Sequence, residues 1–237
     1  MIIVRAGDLP GLRRLLETHP RIELSEEAAS AALEFNRGGW PRAVHVDKPD
    51  LELGGLLELM DNNPLVCADE ISVPSPEATL ALTAVGPLIR AGLLSEPPTL
   101  LFSFDADEGS IYNSFAAMGW SEGATVSGEP VDLQGVLALT AICVVRSPDE
   151  LDDLDSLYEE SFGRSFYVRR DEASEWDVEL VKGKPWAVFR LRISPDQPTC
   201  LLTIRVMADA QGKCGAAQVV HAMNVMSGFE ESLGLNG

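Results

Sequence analysis

The apolar positions of this chain change period several times, and each change marks an element. Met1-Ile2-Ile3-Val4 is a short continuous apolar run, read as a buried strand. Asp8 follows as a candidate helix cap. Leu12, Leu15 and Leu16 then fall at helical spacing until His19-Pro20, and Ile22-Glu23-Leu24 opens a second strand. Cys67 follows a short apolar stretch read as a strand, and the ordinary place for such a cysteine is the interior. Between residues 76 and 94, Leu80, Ala84 and Leu88 recur every four residues, which predicts a buried helix face that Pro87 kinks or restarts.

The second half adds the other period. Ser147-Pro148-Asp149-Glu150 is a capping box with proline at the first helical position, ahead of a helix with Leu151, Leu154, Leu157 and Tyr158 inward. Over 186–194, Phe189, Leu191 and Ile193 alternate with Arg190 and Arg192. After a turn at 194–198, Leu202, Ile204 and Val206 do the same around Arg205, over 200–208. The last helix opens Gly215-Ala216-Ala217, small residues that admit a second backbone or a flat cofactor. The pattern predicts an α+β fold: a mixed or antiparallel sheet covered by helices, with an α/β remnant at the N-terminus.

Composition narrows the function. With 237 residues and 46% hydrophobic content, the chain has room for one large domain or two small ones. Eighteen basic against 37 acidic residues give a net charge of −19, which argues against nucleic acid or an anionic membrane as partner. No apolar run approaches a membrane span, and the N-terminus lacks a secretion layout. Cys67, Cys143, Cys200 and Cys214 are scattered without metal-ligand spacing, so the expectation is a reduced, cytoplasmic protein without a metal. Three arginines on one sheet face, Arg190, Arg192 and Arg205, would bind an anion, meet a partner's carboxylates, or balance nearby acids.

Several strings carry a family resemblance. Asp209-Ala210-Gln211-Gly212-Lys213-Cys214-Gly215-Ala216-Ala217-Gln218, running on to Met223-Asn224, resembles the helix that closes the substrate domain of N-acetyl-gamma-glutamyl-phosphate reductases and, more distantly, aspartate-semialdehyde dehydrogenases. There a Lys-Gly-Ala-Ala-Gly-Gln turn enters a helix reading Ala-Val-Gln-Asn-Met-Asn; here His221 replaces a glutamine. Pro76–Leu94 resembles the family helix that follows the catalytic cysteine, and Gln134–Ala141 the Arg-Gly-Ile-Leu-Ala-Thr strand with its arginine replaced. His19-Pro20-Arg21-Ile22-Glu23-Leu24 echoes the end of the first nucleotide-binding unit. The resemblance implies a reduced nucleotide-domain-like segment at 1–72 and a semialdehyde-dehydrogenase dimerisation-domain-like region at 73–237. It also implies a sheet paired with a second copy, and Gly215, Ala216 and Asn224 as cofactor contacts.

The departures fall on the chemistry. A dinucleotide loop offers several glycine amides to a pyrophosphate, whereas Ala6-Gly7-Asp8-Leu9-Pro10-Gly11 adds an acid and removes an amide. About fifty residues separate Leu24 from the helix at 76, too few for the crossovers of a full nucleotide domain. Val73-Pro74-Ser75 precedes that helix without the family's thiol; the nearest is Cys67, in Asn62-Asn63-Pro64-Leu65-Val66-Cys67. Ser110–Trp120 holds no histidine where the family's acid–base group belongs. The expected function is therefore a non-catalytic, homodimerising relative that binds a protein or a small ligand and needs no cofactor. Two rivals are an NAD(P)-dependent reductase of an acyl phosphate to a semialdehyde using Cys67, with NADP as its cofactor, and a regulatory subunit of a complete family enzyme.

Overall fold

In the computed structural model, which describes residues 1–147, 152–194 and 198–235, the strands form two mixed sheets. β1 (Ile2–Ala6) buries Ile2, Val4 and Ala6 and turns Ile3 and Arg5 out. The short helix α1 (Leu12–Glu17) leads to β2 (Ile22–Ala28), parallel to β1. Asp8 does not cap α1: the cap position is Gly11, at φ 80° and without a side-chain hydrogen bond. β3 (Leu33–Arg37) returns antiparallel on the far side of β1 and turns through Gly38-Gly39 into β4 (Trp40–Val46). Both glycines have positive φ, 63° and 88°, the backbone a two-residue hairpin turn requires.

A 3-10 turn (Leu57–Leu59) and α2 (Asn62–Cys67) then reach β5 (Glu70–Val73), parallel to β4, completing the order β2-β1-β3-β4-β5. Cys67 thus closes a helix and is exposed, where a strand and a buried thiol were expected. Pro64 takes the third position of that helix, where its missing N–H costs nothing.

α3 (Pro76–Ala91) begins at Ser75, whose Oγ accepts from the Ala78 amide at 3.3 Å. It ends at Gly92, in the left-handed conformation of a helix C-cap. The helix runs on through Pro87 without restarting, and every residue from Ala78 to Ile89 is buried. It lies under a six-stranded sheet, order β7-β6-β8-β11-β10-β9, with α4 (Glu108–Ala117) and α5 (Asp152–Phe162) alongside. The strands are β6 (Thr99–Phe102), β7 (Thr125–Gly128), β8 (Val136–Arg146), β9 (Val168–Arg170), β10 (Ala187–Ser194) and β11 (Thr199–Asp209). Only the β6/β7 and β9/β10 pairs are parallel. Most of the capping box at 147–150, Leu151 and the centre of the 194–198 turn lie outside the described residues. Gly86 makes room for Leu59: a Cβ there would stand 2.4 Å from Leu59 Cδ1, and that side chain would have to shift.

α6 (Ala216–Ser227) crosses back to the first sheet, packing with α1 and α2, and every one of its residues is buried. One side chain fastens this layer. The Arg42 guanidinium on β4 donates to the carbonyls of Leu65 (2.9 Å), Val66 (3.0 Å), Ala68 (2.7 Å) and Met226, collecting the orphan ends of α2 and α6. The fold is α+β. Among the described residues no helix is long and apolar enough to cross a membrane.

Candidate functional site

The two layers meet where β5 runs into α3, and the sequence places its chemistry there. Ser75 Oγ lies 2.5 Å from Ser110 Oγ at the start of α4, and Ser110 Oγ donates to Asp47 Oδ1 at 2.7 Å. Both serines are buried. Asp47 follows β4 at φ 50°, one of two non-glycine residues with positive φ among the described residues. The pattern reading missed this relay, because its three members are far apart in sequence and of the commonest polar types.

Beside the relay lies a cavity of about 190 Å³ between the 47–60 segment, the end of β5 and α4. Its walls include Leu56, Leu59, Met60, Leu82 and Met118, and Asp47, Lys48, Glu52, Asn113 and Ser114 stand at its polar side. Among the described residues no cysteine or histidine lines it. Cys67 lies at the other end of β5, so the structure does not bring it to the start of α3.

The β1–α1 loop is closed by its own chain. Gly7 donates its amide to Ala32 O at 2.9 Å, and a Cβ on Gly7 would lie 2.2 Å from Ala31 O. Between this loop and the turn before α6 only about 70 Å³ remains, with Gln211 packed against Gly11. Pockets that take even a drug-sized ligand run to about 300–1,000 Å³. Gly215 allows a close approach, and the atom that makes it is the turn's own Ala210 O, 2.2 Å from where a Cβ would sit. Ala216 is buried in the core around α6. Asn224 is also buried; its Oδ1 lies 3.0 Å from His19 Nε2, and its amide donates to Glu231 O and Leu233 O.

Behind the cavity, on the same 3-10 turn as Leu59, lies a buried ion cluster. Lys213 Nζ, fully inaccessible, meets Glu58 Oε1 at 2.6 Å. His221 Nδ1 is 3.9 Å from the same oxygen, its Nε2 donates to Glu231 Oε2 at 3.0 Å, and Tyr167 stacks on its ring at 3.9 Å. Burial pushes the Glu58 carboxyl upward, but Lys213 and then His221 outweigh it and hold the group below its ordinary value. Burial lowers the His221 pKa below its ordinary value, against the hydrogen bond to Glu231, which raises it. Among the described residues, Glu58 Oε2 and His221 Nδ1 have no hydrogen-bond partner. The signal for this cluster was present: an acid inside Leu56-Leu57-Glu58-Leu59-Met60 and a lysine just ahead of a largely apolar helix each require a buried partner.

The arginines stand together on the outer face of the six-stranded sheet. Arg190 and Arg205 are opposite one another across β10 and β11, both over Trp176 at 4.8 Å, and Arg192 is exposed beyond them. Arg190 also donates to the carbonyls of Asp171 and Ser174 and lies 3.6 Å from Asp171 Oδ1. Part of this face is covered: Trp176, Val178, Leu180 and Trp186 pack over Val136, Val188 and Met207. Among the described residues no group of three or more His, Cys, Asp or Glu side chains could hold a metal.

The chain aligns over 200 residues with N-acetyl-gamma-glutamyl-phosphate reductases of Bacillus cereus strain 03BB102 (22% identical), Bacillus mycoides strain KBAB4 (24%) and Bacillus anthracis (23%). Each alignment covers 71% of this chain and 57% of the relative. It is a distant relative of the N-acetyl-gamma-glutamyl-phosphate reductases. No family model matches the chain. It spans little more than half the length of these reductases, so their activity does not transfer with the kinship.

Proposed function

We propose that this reductase relative is non-catalytic and acts as a homodimer that binds a small ligand between its two layers. The observation that carries the reading is the place of Cys67, exposed at the end of α2 while Ser75 holds the start of α3. A thiolate attacking an acyl phosphate needs a site that lowers its pKa and a partner to manage the proton. The cavity beside α3 offers neither thiol nor imidazole. The crevice beside the β1–α1 loop, about 70 Å³, supports the same conclusion for the dinucleotide.

In this reading residues 1–72 are a reduced nucleotide-domain-like segment, and 73–237 correspond to the dimerisation domain of semialdehyde dehydrogenases. The outer face of the six-stranded sheet supports self-association, with Leu101 and Leu201 each about two-fifths exposed and Arg192 and Arg205 exposed on it. Calorimetric titration with NADPH and NADH, together with an assay for acyl-phosphate reduction, tests the proposal. The expected result is no micromolar binding and no turnover, unchanged in Cys67→Ser. Turnover that Cys67→Ser abolishes would replace it with the reductase reading. Light scattering should give the dimer mass at tens of micromolar, and Arg192→Glu should lower it toward a monomer.

A further inference from the structure

We infer that the cavity between the 47–60 segment and α4 takes a small primary amine on a short aliphatic chain, a ligand opposite in charge to an acyl phosphate. The inference rests on the ligand-binding part of the function proposed above and names the ligand's chemistry. The volume of about 190 Å³ lies below the drug-sized range and suits a molecule of a few heavy atoms. Leu56, Leu59, Leu82 and Met118 give it apolar walls for a hydrocarbon tail.

Charge at the polar side selects the head group. Asp47 and Glu52 face Lys48 as the only cation lining the cavity among the described residues, and Lys48 Nζ is already 3.4 Å from Glu70. An anion there would meet net negative charge, whereas an ammonium would gain a carboxylate partner. The Asp47 carboxylate is oriented in advance: Ser110 holds Oδ1 at 2.7 Å, and Oδ2 has no partner among the described residues. Preorganisation of this kind lowers the ordering cost of binding.

The test is a proton–nitrogen NMR titration of the full chain with hexylammonium, hexanoate and a blocked lysine amide. Hexylammonium is expected to bind, with shifts at Leu82, Ala117 and Met118, and hexanoate at least tenfold more weakly. Asp47→Asn should weaken the amine at least tenfold while keeping the fold, since asparagine tolerates the left-handed backbone at this position. Ala117→Trp, a change at an exposed helix position lining the cavity, should abolish binding by filling it. Hexanoate binding as tightly as hexylammonium, or amine binding that survives both variants, would overturn the assignment. Binding of the lysine amide without hexylammonium would give the cavity to a protein lysine and overturn it too. None of these outcomes affects the non-catalytic reading, which stands or falls on nucleotide binding and turnover.

Discussion

Lys213→Met is the sharpest perturbation of the seam between the layers. Methionine has nearly the length of lysine and leaves little void, so the change isolates the charge. Glu58 would remain with its side chain 5% exposed and lose its partner at 2.6 Å, keeping only His221, whose nearest nitrogen is 3.9 Å away. Removing one member of a buried pair costs about 3–5 kcal/mol, because the other charge stays desolvated. For a chain of this size each kcal/mol lowers Tm by about 2–4 °C, so the expected fall is about 6–20 °C. Urea unfolding followed by circular dichroism at pH 7.5 should show the same loss as a lower midpoint with an unchanged slope. The double variant Lys213→Met with Glu58→Leu should recover most of it, since an apolar pair of similar volume often replaces a buried ion pair without loss. A single variant within about 0.5 kcal/mol of wild type would refute the reasoning, as would a double variant whose cost is the sum of the two singles.

Arg42→Met should cost at least about 3 kcal/mol in the same assay, because hydrogen bonds to a charged donor are worth about 1.5–3 kcal/mol each and four carbonyls share this guanidinium; Arg42→Lys should recover only part, having no planar fork. Gly7→Ala should lose about 1–3 kcal/mol, read by thermal melting, since its Cβ would lie 2.2 Å from Ala31 O. His19 and His221 both titrate below their ordinary value of 6.5, chiefly through burial, so the unfolded chain binds more protons as pH falls. Their contribution is complete above pH 6.5 and is lost below it, and that of Glu58 is lost below 4.5; melting points should decline from pH 7 to 5, less steeply in His221→Gln.

Elements whose period is imposed by one buried face were legible in the sequence. The alternation of Phe189, Leu202, Ile204 and Val206 against the arginines settles β10 and β11, and the four-residue repeat of Leu80, Ala84 and Leu88 settles α3. What escaped was decided by tertiary contact. The apolar stretch at Cys67 became helix because α2 packs against α6, a surface no local pattern contains. α6 looked like part of the second half, yet it covers the first sheet. Asp8 failed as a cap because Gly11 starts α1 three residues later, in a backbone conformation that only glycine adopts freely. The relay of Asp47, Ser75 and Ser110 was illegible for the same reason, since only the fold brings a β4 end, an α3 cap and an α4 start together.

The cations at the seam explain why scaffold and chemistry can separate in this chain. Lys213 sits in the string that most resembles the reductases, yet here it neutralises Glu58 and is sealed from solvent. Arg42 is consumed by helix carbonyls, and Arg190 by the backbone of 171–174. With net charge −19 and these cations already partnered, the cavity beside Ser75 is left to Asp47 and Glu52. An anionic substrate needs a positive partner at its site to offset desolvation; Lys48, the cation that lines this cavity among the described residues, is held 3.4 Å from Glu70, and Lys213 behind it holds the layers together. Stability and anion binding therefore compete for the same side chains. That competition supports a cavity turned toward a cation, and it is why Lys213→Met should weaken the fold without opening a route to the reductase reaction.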